Sequence, residues 1–264
     1  GVSCDSAREM TLDRRDFLKA AGVQTGAMLT LPQAAPALIN RAAEVAVIGA
    51  GAYGAWSAYW LRRMGANVTL VDTYGPGNSR STSGDETRGI RSSYSRESWV
   101  VWAKEAIKRW EQFDDEWAKP LKRRLYFPTG DIILRAAEDG MIRDSRANWD
   151  KLGFKYEVLK PDEIRYRFPQ IQIDNIGIGL WEPDAGVARA RATILTLADV
   201  FQKSGGKVVI GHVTPTDAVN RKMNDVVLDN GDRLKADVYV FVCGPWLGKV
   251  FPALLGQRIR PPIG

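Results

Sequence analysis

A glycine-rich turn between two predicted strands most constrains what this chain can fold into. The apolar run from Val45 to Ile48 predicts a buried strand, and the glycines of a GxGxxG pattern follow it. An Ala- and Trp-rich helix to about Met64 and a second strand, Asn67 to Val71, complete a βαβ unit. Asp72 comes next, where a carboxylate can accept hydrogen bonds from an adenosine ribose. The stretch therefore predicts a dinucleotide-binding site.

The turn is predicted to hold the pyrophosphate of this ligand. Gly49 permits the tight turn, Gly51 lets the backbone approach the phosphates, and Gly54 lets helix and strand pack closely. The N-terminus of the helix adds N–H groups and the positive end of its dipole. The predicted cofactor-binding residues of this segment are Gly49, Ala50, Gly51, Ala52, Tyr53, Gly54, Asp72 and Thr73.

The composition is ordinary for a globular protein, since 264 residues with 45% hydrophobic content allow one large domain or two smaller ones. The net charge of +6 comes from basic residues interleaved with acidic ones, so we predict a solvated surface and no nucleic-acid partner. The sequence contains no run of about 18 apolar residues, so it predicts no membrane span. Two cysteines, Cys4 and Cys243, and one histidine, His212, argue against a disulfide framework, a metal site and Ser–His–Asp catalysis.

The N-terminal segment matches the twin-arginine export pattern. The pair Arg14-Arg15 is followed by Phe17-Leu18-Lys19 and by a mildly apolar stretch from Ala20 to Leu31. Ala35-Pro36-Ala37 then supplies a small-x-small cleavage site. Residues 1–37 are therefore predicted to be a signal peptide read by the twin-arginine export machinery, and the mature protein is predicted to be periplasmic or secreted. An amphipathic N-terminal helix with a chance arginine pair is the alternative.

Two arginines follow the nucleotide-binding unit in a polar segment. The sequence GDETRGIRSSY, residues 84–94, places Arg88 and Arg91 three residues apart, and we expect one helical turn to point both the same way. Their guanidinium groups can neutralise a pyrophosphate or bind a substrate carboxylate through two hydrogen bonds. Two solvated arginines at a helix start are the simpler interpretation in isolation. Their place after a nucleotide-binding acid favours a role in the site, and we predict that both are catalytic.

Later segments carry helix and strand patterns. Apolar side chains every three or four residues predict a helix over 97–118 with one buried face, formed by Trp99, Ala103, Ala106, Trp110, Phe113 and Trp117. We interpret this stripe as core rather than as an aromatic cage for an amine. Residues 188–204 predict a second helix, and a strand–turn–strand pattern follows over 226–242. The run from Val238 into Gly244 would place that glycine beside the nucleotide, at the carboxyl end of a central strand.

With these pieces placed, the chain resembles the FAD-dependent amine and amino-acid oxidases of the D-amino-acid oxidase superfamily. The likeness is strongest to the branch of monomeric sarcosine oxidase and N-methyltryptophan oxidase. Four stretches carry the resemblance, namely VAVIGAGAYGAWSAYWLRRMGANVTLVD, GDETRGIRSSY, GLWEPDAGVARARATILTLADVFQKSGGKVV and LKADVYVFVCGPW.

The resemblance implies an α/β protein with a Rossmann-like FAD-binding domain and a smaller α+β substrate domain. It implies that the glycine turn and Asp72 hold FAD, and that Arg91 holds the carboxylate of a small amine or amino-acid substrate. It further implies oxidation of a C–N bond by hydride transfer to the flavin, with the electrons passed to oxygen or another acceptor. The remaining cofactor residues that it implies are Thr87, Arg88, Val213 and Gly244.

The expected FAD-binding domain comprises residues 38–125 and 188–255, and the first part of the substrate domain comprises residues 126–187. Residues 256–264 are predicted to begin a further substrate-domain strand. Members of the family run well past the position of Trp246, so we expect a truncated enzyme or a subunit completed by a partner chain or oligomer. Two alternatives to an oxidase stay open, a dehydrogenase that passes electrons to a carrier and a non-catalytic FAD-binding fragment.

Overall fold

The computed structural model of the protein describes residues 43–215, 223–256 and 258–259. Its strands are β1 (Glu44–Ile48), β2 (Asn67–Asp72), β3 (Arg88–Ile90), β4 (Tyr126–Phe127), β5 (Asp131–Arg135), β6 (Glu157–Leu159), β7 (Ile178–Glu182), β8 (Gly186–Ala188), β9 (Lys207–Ile210), β10 (Val213–Pro215), β11 (Val226–Leu228), β12 (Arg233–Leu234) and β13 (Val238–Phe241). Its α-helices are α1 (Ala52–Arg63), α2 (Glu97–Phe113), α3 (Gly140–Leu152), α4 (Pro161–Arg167), α5 (Ala190–Lys203), α6 (Leu247–Val250) and α7 (Pro252–Leu255). A π-helical turn, Asp114–Ala118, follows α2, and a 3₁₀ turn, Gly244–Trp246, precedes α6.

Some of the predicted segments lie outside the described residues. They include the predicted signal peptide, residues 1–37, and most of the predicted C-terminal strand, residues 256–264. None of the helices within the described ranges has the length and apolar character needed to cross a membrane.

The described part of the chain forms two compact units. One contains the residues up to Ser81 and from Leu197 onwards, and the other contains Thr82 to Thr196. The domain boundaries predicted from the sequence differ from these, since they were placed after residues 125 and 187. Its assignment of one part to the cofactor and the other to the substrate stays a prediction.

A parallel sheet in the order β13-β1-β2-β9 is the centre of the first unit. Residue by residue, β1 pairs with β2 from Glu44↔Asn67 to Ile48↔Val71. One face of the sheet packs against α1 and the end of α5, where Val47, Leu70 and Phe201 are buried. Parallel strands covered by helices are the predicted Rossmann-like α/β arrangement, and their carboxyl ends share one edge.

A small antiparallel sheet, β10-β11-β12, covers the other face of the parallel sheet through a second apolar cluster. Its strands β11 and β12 form a hairpin at the predicted turn, with Gly231 at φ +88°. The predicted second strand of that hairpin, which was expected to run on to Val242, ends at Leu234, and Val238–Phe241 pairs with β1 instead. The predicted central position of the strand that begins at Val238 is not found among the described strands, where β13 lies at one end of the sheet order and pairs with β1 alone.

Antiparallel strands and helices make the second unit an α+β structure. Its two sheets have the orders β3-β8-β4 and β5-β7-β6. The core between β5, β7 and the helices α2 and α3 contains the buried residues Val100, Ile133, Ile142, Trp149 and Leu180. Strands β4 and β5 are separated by Pro128 to Gly130.

The buried face of α2 is displaced by about one residue from the predicted stripe. Its buried positions are Val100, Lys104, Ile107 and Phe113, and of these the predicted stripe included Phe113. Trp99 and Ala106, both predicted to lie in the core, are exposed. The physical reason is Lys104, whose ammonium group pairs with the buried Glu182 carboxylate at 3.1 Å. A search for apolar periodicity cannot find a face whose middle position is a lysine.

Two neighbouring substitutions in α2 distinguish the observed face from the predicted one. Ile107→Ala is expected to lower the free energy of unfolding by about 2–5 kcal/mol, because it leaves a cavity in the core. Ala106→Lys is expected to change it by less than about 0.5 kcal/mol, because the side chain enters solvent. Urea unfolding followed by tryptophan fluorescence measures both. A larger loss for Ala106→Lys would contradict the observed face.

Candidate functional site

The glycine turn after β1 allows three backbone segments to approach one another closely. Gly49 adopts φ +108°, and a Cβ atom there would lie 2.6 Å from the carbonyl oxygen of Val242. A Cβ atom at Gly54 would lie only 1.7 Å from the carbonyl oxygen of Gly49. Both distances are below any real contact of a Cβ atom, so only glycine fits at these two positions.

Helix α1 begins at this turn. Gly51 is the N-cap residue in an extended conformation, and no side chain caps it among the described residues. The first turn of the helix contains no acidic residue, and Tyr53 in that turn is 83% exposed. A negative group placed here gains from the helix dipole and from backbone N–H donors. The turn can therefore receive a pyrophosphate.

The Asp72 carboxylate at the end of β2 is tied directly to the glycine turn. Its Oδ2 atom accepts a hydrogen bond from the backbone N–H of Ala50 at 2.7 Å. Its Oδ1 atom accepts from the backbone N–H of Tyr74 at 2.9 Å and from Asn78 Nδ2 at 3.2 Å. Oδ1 accepts two hydrogen bonds here, whereas Oδ2 accepts one and can accept a further hydrogen bond. Asp72 can thus orient the turn and still bind a ribose hydroxyl.

The loop after Asp72 contains residues of this site that the sequence analysis did not single out. Asn78 bridges Asp72 and the carbonyl oxygen of Gly75, which its Nδ2 contacts at 2.7 Å. Arg80 stacks on the Tyr74 ring, with its guanidinium carbon 4.3 Å from the ring centroid. The indole N–H of Trp246 donates to the carbonyl oxygen of Arg80 at 3.4 Å. The signal for this loop was its composition, TYGPGNS, directly after the acid.

Three more predicted cofactor residues lie near this edge of the sheet. Thr73 Oγ1 is 3.4 Å from Nδ1 of His212, the residue before Val213. The Val213 side chain is itself buried in the core, 6% exposed, so only its backbone is available to an adenine. Gly244 has φ +53° and open space around its Cα. The contacts of these residues with a cofactor stay predictions.

Cys243, next to Gly244, is held as a protonated thiol. Burial raises its pKa to about 11, and the negative charge of Asp72 adds to this effect. Its Sγ atom lies 3.5 Å from the carbonyl oxygen of Ile48, at the end of β1. Because the thiolate is the reactive form of cysteine, this residue is a packing residue rather than a nucleophile at neutral pH. No cluster of metal-binding side chains occurs in the part of the chain that the structure describes.

In the second unit, Arg88 and Arg91 do not share a helical turn, so that prediction is wrong. Arg88 begins strand β3, which pairs with β8 in the register Arg88↔Ala188. Its guanidinium group forms an ion pair with Asp85 at 2.5 Å, and it also donates to the carbonyl oxygen of Thr82. The backbone between Thr87 and Arg91 is extended because β8 supplies its hydrogen bonds, which no local pattern reveals.

Arg91 has separate partners on the chain that follows it. Its Nη1 atom donates to the carbonyl oxygen of Ser93 at 2.5 Å and to Ser93 Oγ at 2.7 Å. Its guanidinium carbon lies 5.0 Å from the centroid of the Tyr94 ring. Within the described ranges, its other guanidinium nitrogens make no hydrogen bond. Arg91 is therefore anchored on one side and can offer the rest of its planar group to a carboxylate. Its catalytic role, like that of Arg88, stays a prediction.

The glycine turn can be tested by adding one methyl group. Gly54→Ala is expected to abolish FAD binding, because its Cβ atom would overlap the Gly49 carbonyl group. Gly140→Ala is the matched control, since the nearest atom to its Cβ would be a flexible arginine nitrogen at 3.9 Å. Flavin absorbance of the purified proteins after addition of FAD measures the outcome. Normal flavin content in Gly54→Ala would contradict this account of the turn.

Comparison with known proteins identifies the family. The family model described as "DAO: FAD dependent oxidoreductase" matches residues 44–264. Human peroxisomal sarcosine oxidase is 26% identical over 211 residues, which cover 80% of this chain and 53% of the relative. N-methyl-L-tryptophan oxidase of Escherichia coli O81 is 25% identical over 224 residues, which cover 82% and 58%. The chain thus spans somewhat more than half the length of these relatives.

Solved structures share the fold. L-proline dehydrogenase from P. horikoshii superposes with a TM-score of 0.70 at 22% identity, over 84% of this chain and 58% of that one. NikD, an amino acid oxidase essential for nikkomycin biosynthesis, superposes with a TM-score of 0.66 at 24% identity, over 83% and 54%. The predicted α/β FAD-binding fold is therefore confirmed.

The residues of the first unit fit the cofactor of this family. The glycine cradle leaves no room for a Cβ atom, the start of α1 offers N–H groups to phosphates, and Asp72 can accept from a ribose. This fit and the match over residues 44–264 lead to one conclusion. The chain belongs to the DAO family of FAD-dependent oxidoreductases.

Proposed function

We propose that the whole protein oxidises the C–N bond of a small amine or amino acid, in the manner of a sarcosine oxidase. The observation that carries the proposal is the link between the glycine turn and Asp72, made by the 2.7 Å hydrogen bond from Ala50. Its relatives, which are named as oxidases of sarcosine and of N-methyl-L-tryptophan, support this class of reaction.

The first unit would hold FAD through Gly49, Gly51 and Gly54 at the pyrophosphate and through Asp72 at the adenosine ribose. Bound FAD would accept the electrons released by oxidation of the C–N bond. The protein's own contribution is to bind and orient the reactants and to set the electrostatic potential around them. A carrier or oxygen would then take up the electrons, and the experiment below distinguishes the two.

Arg91 supports a substrate that bears a carboxylate. The Ser93 contacts anchor Nη1, while the rest of the guanidinium group has no hydrogen bond among the described residues. A planar guanidinium group binds a carboxylate through two parallel hydrogen bonds. The alternative that a partner chain or an oligomer completes the protein also stays a proposal.

We further propose export by the twin-arginine route, with residues 1–37 as the signal peptide. The proposal depends on Arg14-Arg15 and on the small-x-small site at Ala35 to Ala37. Replacing Arg14-Arg15 with two lysines is expected to retain the protein in the bacterial cytoplasm. Cell fractionation measures its location, and periplasmic recovery of the variant equal to that of the parent chain would contradict the proposal.

Anaerobic reduction of the flavin tests the activity. Sarcosine and other N-methyl amino acids are expected to bleach the flavin absorbance of the FAD-loaded protein. If none of these compounds bleaches it, the proposal is contradicted. Readmitting oxygen or adding a redox dye then shows which acceptor restores the absorbance. An oxidase reacts rapidly with oxygen, whereas a dehydrogenase reacts with the dye.

The role of Arg91 is tested in the same assay. Arg91→Gln is expected to raise the amino-acid concentration needed for half-maximal reduction about 10- to 100-fold, because it removes charge-assisted hydrogen bonds. Arg96→Gln is the control, since Arg96 is exposed and its guanidinium group stacks on Trp99. Equal behaviour of the two variants would contradict the role assigned to Arg91.

A further inference from the structure

A buried carboxylate is hydrogen-bonded to the residue that follows Arg91 in the chain. Glu182, at the end of β7, is only 1% exposed. It accepts two hydrogen bonds from the backbone N–H of Ser92, at 2.9 Å to Oε2 and 3.2 Å to Oε1. The hydroxyl group of Ser92 also donates to Oε1, and the Lys104 ammonium group pairs with the same atom at 3.1 Å. One carboxylate thus holds both polar groups of Ser92.

The other polar groups around Glu182 are also paired. The indole N–H of Trp149 donates to Ser92 Oγ at 3.1 Å, so the hydroxyl both donates and accepts. Lys104 Nζ reaches Asp184 Oδ2 at 3.2 Å and lies 5.0 Å from the Phe154 ring centroid. The network joins the chain after β3 to α2, α3 and β7. A fully paired buried network holds its members in one arrangement.

Stability alone does not account for these charges. The network is continuous with an apolar core through Trp149, which packs in one cluster with Val100, Ile142 and Leu180. Replacing a buried ion pair with apolar residues of similar volume is often neutral or stabilising, because the charges no longer need to lose their hydration. What the network adds is position, since it fixes the backbone of Ser92 through its own N–H group.

Fixing Ser92 fixes the residue before it. Arg91 is joined to Ser92 by one peptide bond, and its guanidinium group is held by Ser93, which is 1% exposed. The backbone of residues 91–93 therefore determines where the unbound side of the guanidinium group lies. A misplacement of about 1 Å in a binding group can cost about 100-fold in rate.

The charges around Arg91 affect how strongly its guanidinium group attracts an anion. Lys104 neutralises Glu182, which would otherwise compete with a ligand carboxylate for the Arg91 guanidinium. Asp131 in β5 lies within electrostatic reach of both groups. Burial raises the pKa of Asp131, the positive charge of Arg91 lowers it, and the negative charge of Glu182 raises it.

We propose that Glu182 is a positioning residue, which acts through Ser92 to hold the Arg91 guanidinium group in the orientation that receives a ligand carboxylate. The proposal rests on the proposed function of Arg91. Ser92, Trp149 and Lys104 serve the same purpose, because each of them holds Ser92 or Glu182 in place.

The test compares a carboxylate with an amide of the same shape. Butyrate and butyramide are titrated into the FAD-loaded full chain, and ligand-observed NMR measures their dissociation constants. Glu182→Gln is expected to weaken butyrate binding about tenfold. The amide nitrogen of glutamine cannot accept a hydrogen bond from Ser92, so the backbone of residues 91–93 is expected to shift. Butyramide binding is expected to stay unchanged. A merely structural role would not separate the two ligands.

Asp114→Asn is the matched control variant. Asp114 is another buried carboxylate of the second unit, 5% exposed, and it accepts backbone N–H groups from Leu125 and Tyr126 at 2.7 and 3.1 Å. It holds none of the residues around Arg91, so butyrate binding is expected to match that of the parent chain. Equal effects of Asp114→Asn and Glu182→Gln on butyrate binding would overturn the proposal.

Arg91→Gln separates this proposal from the proposed function. Butyrate binding unchanged in Arg91→Gln would remove the carboxylate role of Arg91 itself. Weakened binding in Arg91→Gln, with parent-like binding in Glu182→Gln, would overturn only the positioning role. The double variant is expected to bind butyrate as Arg91→Gln does, because the two residues act on one interaction. If Glu182→Gln does not fold, Glu182→Asp decides, because the shorter side chain keeps the negative charge but draws the carboxylate away from the Ser92 N–H group. Parent-like butyrate binding in Glu182→Asp overturns the proposal.

Discussion

The close approach of backbone at the glycine turn is the constraint on which the first unit depends. Strand β1, helix α1 and the chain after β13 meet where a Cβ atom would overlap a carbonyl oxygen, at Gly49 and at Gly54. Their meeting brings the N-terminus of α1 to the Asp72 carboxylate, and the Ala50 N–H joins the two. The phosphate-binding and ribose-binding groups are thus placed by the same packing that closes the βαβ unit.

The second unit depends on a different constraint, a charge that is removed from water. Glu182 is stable as a buried carboxylate only because Lys104 and Ser92 surround it. This network also restricts the position of Arg91. The backbone N–H group of Ser92, the next residue, is hydrogen-bonded to Glu182, which lies at the end of β7, far along the sequence. The glycine turn in the first unit and the Lys104–Glu182 ion pair near Arg91 have the same effect. Each restricts the positions that the backbone can take.

The sequence predicted those features that depend on near neighbours in the chain. The elements β1, α1 and β2 were predicted almost to the residue, and the helix predicted over residues 188–204 is α5, Ala190–Lys203. Two predictions failed for one reason. The buried face of α2 includes Lys104, which is buried only because Glu182, distant in the sequence, neutralises its charge. The chain at Arg88 is extended only because β8 pairs with it.

Local patterns in the amino-acid sequence were enough to predict the dinucleotide unit, the FAD-dependent family and the two arginines as candidates, because glycine spacing and apolar periodicity are properties of near neighbours in a chain. The folded structure was needed to show that Asp72 contacts the turn through Ala50, that Arg88 and Arg91 have separate partners, and that Glu182 holds Ser92. Those facts depend on pairing between residues far apart in the chain. Such pairing produces no periodic pattern in the sequence. A buried charge is stable only beside an oppositely charged or hydrogen-bonding partner, and that partner is brought close only by folding.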